Sequence, residues 1–514
     1  MDDMLKTSHI LQIGPSNWEG EIEVPKRLGW HYFSSYGLPS LQEYMEENEV
    51  SEFKALILER PEDLLHLKDD LECFKPYTVF YDKSFERNLF SEELEYLLRW
   101  KKVQAWDFSD KEKFVYMVNR FLYDKQYGDA FNVYHIRIRP DFTGIQTVLG
   151  KHFLQVEGSY GDNFTPLAQW TFNYVYDGTT PINFWLEYEK DSSCQLQLRL
   201  QFFSSGSLGD LVKEEVYSKL DLESPILLDE SDRFYISFSL EARGKGKIKI
   251  GALHKRFAHG PFGEMLPGAV TLRDYKRQEI FAYFHPGDLK PPLNIYFSGY
   301  RPAEGFEGFF MMKRMESPFI LFSDPRLEGG SFYLGSKELE NKIRDYIDHQ
   351  LRWLGFKSKD LNFSGLSMGS FATLYYGATY SPHAILVGKP LVNLGDIAAN
   401  LKFKRPDDFA TSLDMMQLIV NQVSSTGVDL FNQRFWSSFK KENLANTTLA
   451  FAYMRDDDYD QLAYSKILES LYNQPVRIIS SSRPGRHNDA TAPIVEWFVT
   501  QYKEIMERDF GRIE

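Results

Sequence analysis

Asp360-Leu-Asn-Phe-Ser-Gly-Leu-Ser-Met-Gly-Ser-Phe-Ala-Thr-Leu-Tyr-Tyr-Gly377 decides how the second half of this chain folds. The β-leaning run Leu361-Asn362-Phe363 breaks at Gly365-Leu366-Ser367-Met368-Gly369, and Ser370 to Ala378 then reads as a helix. Two glycines flanking a serine let the backbone turn sharply between strand and helix. They lift one hydroxyl above the sheet, beside a helix N-terminus. The five-residue pattern is weak by itself; its flanks give it weight. The bland alternative is a tight strand-helix turn with an idle serine.

A serine hydroxyl is a poor nucleophile at neutral pH. It needs a base to take its proton and a third group to orient that base. In α/β-hydrolases an acid and then a histidine follow the serine along the chain. Here the strand-like run Asn446 to Met454 ends in Arg455-Asp-Asp-Asp-Tyr-Asp460, and Val476 to Ser480 ends in Ser481-Ser-Arg-Pro-Gly-Arg-His-Asn-Asp489. Both loops follow strand ends, the edge of a parallel sheet where ligands bind.

His487 is the expected base. The other histidine beyond Ser367, His383, opens the strand Ala384 to Val387 and belongs at the opposite edge. Asp457 is the preferred acid, with Asp456, Asp458 and Asp460 as alternatives. An oxyanion hole needs two backbone N–H donors. Met368 follows the nucleophile and supplies one. The run Leu293 to Pro302, turning at Ser298-Gly299, offers Tyr300 as the second, against an ordinary β-turn.

With 514 residues, two or three domains are expected. Residues 1–128 alternate short strands with helices and read as a small α/β layer. His9 to Ser16 lacks the glycine spacing of a nucleotide fingerprint. Residues 129–283 alternate apolar and polar positions in short runs, the pattern of an antiparallel β-sandwich, a module type that often holds sugars and at least as often is bare scaffolding. His254 and His259, near Arg256, read as surface histidines that could mark such a site. Residues 284–514 return to alternating strands and helices, which implies a doubly wound parallel sheet of α/β-hydrolase type.

A net charge of −14 argues against general affinity for nucleic acid or acidic membrane. Two cysteines, Cys73 and Cys194, are too few for a disulfide framework or a zinc site, so no metal is expected and a reducing compartment fits. Met1 to Thr7 has no basic head or apolar leader, and no apolar run approaches spanning length. The expectation is a cytoplasmic protein with at most peripheral membrane association.

Tyr296-Phe-Ser-Gly-Tyr-Arg301, Glu304 to Met312, Asp324 to Tyr333 and Phe363 to Gly369 together resemble the second accessory secretory protein family of the accessory Sec export system of Gram-positive cocci. Ser239 to Ile250 also looks like that family. The resemblance implies a cytoplasmic component that works with other accessory secretory proteins and the accessory motor ATPase. It also implies O-acetylation of N-acetylglucosamine residues on a serine-rich repeat glycoprotein adhesin. Carried over by position, the family's nucleophile falls on Ser367, its histidine on His487 and its acid in the loop containing Asp457.

No cofactor is expected to be bound; the acetyl donor, acetyl-CoA for example, enters as a co-substrate. Three classes compete: a glycan O-acetyltransferase, an esterase or deacetylase with the same triad, and a non-catalytic export scaffold.

Overall fold

The structure, a computed structural model, describes residues 8–26, 28–87, 90–206, 209–327, 329–404 and 411–512, without the side chains of 400–404. The reading of a missing leader at Met1 to Thr7 lies outside the described residues. Among the described residues three large sheets, each with its own apolar core, organise the chain.

The first sheet has five parallel strands. In space they run Leu28–Phe33, Ser8–Ile13, Phe53–Leu58, Val79–Asp82, Gln104–Trp106. Its central strands are apolar on both faces, as helices packed on both sides demand. The Tyr77 hydroxyl donates to the Phe284 carbonyl at 2.6 Å, and Arg99 donates to that of Trp353, tying this layer to the third sheet.

The second sheet is antiparallel and has ten strands, all linked through one 24-residue strand, Phe234–Phe257. Its first half pairs with Cys194–Ser204 and its second half with Ile182–Lys190. One continuous sheet therefore closes over a common core. Phe153–Trp170 runs beside it for 18 residues, with register shifts near Gly161 and Gly244 that let both long strands bend. Val133 to His135 forms a 3₁₀ turn before the short strand Ile136–Ile138. His254 and His259 are buried, 3% and 1% exposed, which corrects their reading as surface residues.

The third sheet has eight strands. Its spatial order is Val270–Arg273, Glu279–His285, Phe319–Ser323, Leu293–Phe297, Leu361–Leu366, Ala384–Gly388, Thr448–Met454, Arg477–Arg483. Only the third and fourth strands of the series exchange places. The first two run antiparallel to their neighbours and the rest are parallel. This is the α/β-hydrolase arrangement, with a nucleophile position after the fifth strand. It takes in two strands before residue 284, where the sequence reading started this region.

Three helices, Leu394–Lys404, Ser412–Val420 and Ser425–Phe439, stand between the sixth and seventh strands. The hairpin tip at Gly150-Lys151 of the antiparallel sheet rests on the second of them, where Lys151 N–H donates to Asp414 at 3.0 Å. A Cβ at Gly150 would overlap that carboxylate.

Candidate active site

The elbow forms because its neighbours leave no room for anything but glycine. A Cβ at Gly369 would lie 2.0 Å from the Phe297 carbonyl oxygen, and one at Gly365 2.5 Å from that of Gly369. Ser367 itself sits at φ 52°, ψ −117°, a conformation that costs about 1–3 kcal/mol for a residue with a side chain. The turn is held by Ser367 N–H donating to the Gly388 carbonyl at 2.8 Å. Ser370 adds a brace: its hydroxyl donates to the Ser367 carbonyl and accepts from Leu391 N–H.

From this turn the Ser367 hydroxyl reaches His487 Nε2 at 2.8 Å. His487 Nδ1 lies 2.8 Å from Asp457 Oδ2. A carboxylate only accepts, so Nδ1 carries the proton and Nε2 is left to accept from the serine. Asp457 Oδ1 accepts from the N–H groups of Tyr459 and Asp460, at 2.9 and 3.2 Å. Burial pushes the Asp457 carboxyl up, but the bond to His487, its charge and those two N–H groups outweigh it and hold the carboxyl below its ordinary value. The Tyr459 ring covers the imidazole, centroids 4.3 Å apart. Both members of the His487–Asp457 pair are buried, whereas Ser367 is half-buried.

The four aspartates of the acid loop separate by task. Asp458 accepts from His487 N–H at 3.0 Å and so positions the histidine loop. Asp456 accepts from Gly485 N–H. Asp460 gathers the N–H groups of Val392 and Asn393 and the Asn393 amide, fixing the loop after the sixth strand. Only Asp457 reaches the imidazole. His383 lies at the far edge of the sheet, 2.8 Å from Asp509.

Met368 is buried directly after Ser367 and opens the helix Met368–Gly377. Phe297 pairs in register with Gly365, which brings the loop from Ser298 beside the elbow. A Cβ at Gly299 would sit 3.3 Å from the Leu366 carbonyl oxygen. The Gly299 N–H is taken by Glu307 at 2.8 Å. Tyr300 comes next, its ring half exposed and lying over Gly329.

Sequence reasoning gave no role to a second loop, Asp324 to Tyr333. Asp324 is buried and accepts from the Arg326 guanidinium and from the N–H groups of Ser331 and Tyr333. The Tyr333 hydroxyl donates to the Ser298 carbonyl at 2.8 Å. A Cβ at Gly330 would strike Met368 Sδ, so this loop lies against the residue after the serine. The signal in sequence was Asp324-Pro-Arg326, an acid two residues before its cation.

Behind the first loop lies a buried ionic cluster. His254 bridges Glu187 at 3.0 Å and Glu304 at 2.6 Å, and Arg256 joins Glu304 to Glu279. Burial lowers the His254 imidazole, yet the Glu304 and Glu187 carboxylates overcome this and raise it to about 9. Glu304 thus anchors the Tyr300 loop to the antiparallel sheet, an arrangement helped by its N–H donating to the Gly128 carbonyl at 2.9 Å. Among the described residues no helix is long and apolar enough to cross a membrane.

The family model described as "Asp2: Accessory Sec system GspB-transporter" matches residues 8–512 of this chain. The accessory Sec system protein Asp2 of Streptococcus gordonii is 40% identical over 508 residues, 98% of either chain. Its counterpart from Staphylococcus aureus (strain NCTC 8325 / PS 47) is 39% identical over 521 residues, 99% of either chain. A chain in the structure titled glycosylation associate protein (Gap123) complex, from Streptococcus agalactiae, superimposes with a TM-score of 0.94. It shares 36% identity, over 99% of this chain and 100% of that one.

Proposed function

The chain belongs to the Asp2 family of the accessory Sec system, and on that premise we propose that it is an O-acetyltransferase acting on sugars of an exported glycoprotein. The observation that carries this reading is the hydrogen-bonded series Ser367, His487, Asp457 at a strained strand-helix turn. His487 takes the Ser367 proton as the oxygen attacks the acetyl carbonyl of a donor such as acetyl-CoA. Asp457 keeps Nδ1 protonated and stabilises the imidazolium that forms.

The tetrahedral oxyanion is held by the N–H groups of Met368 and Tyr300; one such donor is typically worth about 10²–10³ in rate. His487 then protonates the departing thiolate, leaving acetyl on Ser367. In the second half a sugar hydroxyl gives its proton to His487 and attacks the acetyl-enzyme, which restores the serine and yields an acetylated sugar. The acceptor is an N-acetylglucosamine residue on a serine-rich repeat adhesin. The partners are the other accessory secretory proteins and the motor ATPase in the cytoplasm. The Gap123 complex of Streptococcus agalactiae, whose chain this one resembles, supports an assembled state.

The deciding experiment is intact-mass analysis of the adhesin from cells carrying wild-type or Ser367→Ala protein. A ladder of acetyl-sized differences that disappears in the variant is expected. Glycan-independent acetate release from an activated ester, with no acetyl reaching sugar, would point to an esterase instead. An unchanged ladder in the variant would leave only a scaffold role.

A further inference from the structure

A cleft of about 380 Å³ separates the antiparallel sheet from the loops that border the elbow, within the range of small-molecule sites. One wall carries Asn132, His135, Lys151 and Phe172 of the antiparallel region, the other Arg301 and Leu327 of the two loops. Gly299 and Gly329 of the same loops also line it. Gly299 lies against the carbonyl of Leu366, the residue before Ser367, and Gly329 under the Tyr300 ring, so the two loops that flank the elbow also border the cleft. We propose that this cleft is the acceptor subsite and that it takes a neutral pyranose of the glycan. The assignment rests on the acyl-transfer reading for its role and on the cleft's own chemistry for its ligand.

That chemistry excludes strongly charged ligands. Lys151, Lys255, Arg301 and the protonated His254 face Asp129, Glu187, Glu304 and Asp324. Each of these groups has a partner, Arg301 through the Phe306 carbonyl. Lys255 donates to Asp129 at 2.8 Å, His254 bridges Glu187 and Glu304, and Arg326 occupies Asp324. A chain of phosphates would meet as many carboxylates as cations, and an ammonium the reverse.

Two features are left over. Phe172 is 56% exposed, with its ring edge-to-face against His135 at 5.0 Å. His135 Nδ1 is buried and has no hydrogen-bond partner among the described residues. A buried polar atom without a partner costs about 1–3 kcal/mol and calls for a ligand or a water. An apolar ring face beside an unsatisfied imidazole nitrogen suits a pyranose, whose C–H face stacks on the ring while a hydroxyl pairs with the nitrogen. A neutral sugar so placed offers its other hydroxyls toward the loops that flank the elbow.

The test uses the full chain carrying Ser367→Ala, titrated with N,N′-diacetylchitobiose and followed by saturation-transfer NMR and calorimetry. Saturable binding is expected, weakened at least about tenfold (about 1.4 kcal/mol) by Phe172→Ala on the rim and by Ala130→Trp, which fills the cleft. Coenzyme A added as a competitor should leave the sugar bound.

No saturable binding, binding unmoved by both wall variants, or displacement by coenzyme A each overturns the assignment. Should Ala130→Trp lower the melting temperature, Phe172→Ala decides, because its exposed ring supports no core. Acetyl release from an activated ester by the wild-type protein separates the two readings. Sugar binding without Ser367-dependent release defeats the transferase and keeps the cleft. Release without cleft-dependent sugar binding defeats the cleft alone.

Discussion

Two sheets built around parallel strands obey the same topological rule with opposite results. Ligands bind at the carboxyl ends of parallel strands, where the strand order reverses. In the N-terminal sheet that crevice lies between Ser8–Ile13 and Phe53–Leu58, and the protein's own side chains fill it. Gln12 donates to Glu59 and to the Ser16 carbonyl and accepts from Trp18 N–H and the Trp30 indole; the Glu59 side chain lies over Gly14. In the C-terminal sheet the same edge carries a half-buried serine, a buried His–Asp pair and an open cleft. Topology nominates an edge; side chains decide whether anything can bind there.

The largest effect that sharpens this contrast should come from His487→Ala, with loss of acetyl-enzyme formation of about 10⁶-fold in a stopped-flow burst assay. Glu59→Ala, at the equivalent edge of the other sheet, should leave the burst intact. A comparable loss from Glu59→Ala would mean the first sheet is not idle.

Next come the aspartates. Asp457→Asn should lower the burst rate by about 10⁴, because an amide can donate to Nδ1 and favour the unproductive tautomer. Asp456→Asn should cost less than about tenfold. Equal losses would show that the loop, rather than the single carboxylate at 2.8 Å, matters.

How far the residues alone disclosed this site can be seen in those aspartates. The elbow, the acid loop and the histidine loop were legible because each ends a run of apolar, strand-like residues. What stayed hidden were links between segments distant in the chain: Asp458 on the His487 N–H, Asp460 on Val392 and Asn393, and Glu304 under His254. A cluster of four acids looks solvated until its partners are in place. The strands Val270–Arg273 and Glu279–His285 were hidden for a related reason. They follow the antiparallel region without a break in pattern, and only their pairing with Phe319–Ser323 assigns them to the third sheet.

Smaller effects concern stability. Gly369→Ala sets a methyl against backbone, the Phe297 carbonyl at 2.0 Å, and should destabilise by about 1–3 kcal/mol. Gly14→Ala meets the flexible Glu59 side chain and should cost less in a denaturant titration. If the two costs match, rigidity at the elbow is not special.

The mildest effect is on pH. His254 is raised from its ordinary value of 6.5 to about 9, so its protonation favours the folded state fully below about pH 6.5. That contribution is lost as pH rises through about 9. The melting temperature should fall by roughly 5 °C across this window, and less in His254→Gln. A flat profile in the wild type would mean that the cluster binding Glu304 is not ionised as described.

From the residues alone came the class of the third sheet and the order of serine, acid and histidine, because periodicity and turn chemistry are local and survive reading in one dimension. Only the tertiary structure set Asp457 against the imidazole and its three alternatives elsewhere, buried the histidines of the antiparallel region, plugged one crevice and left the other open. Those outcomes depend on which side chains from remote segments compete for the same few cubic ångströms and the same hydrogen bonds, and linear spacing carries no record of that competition.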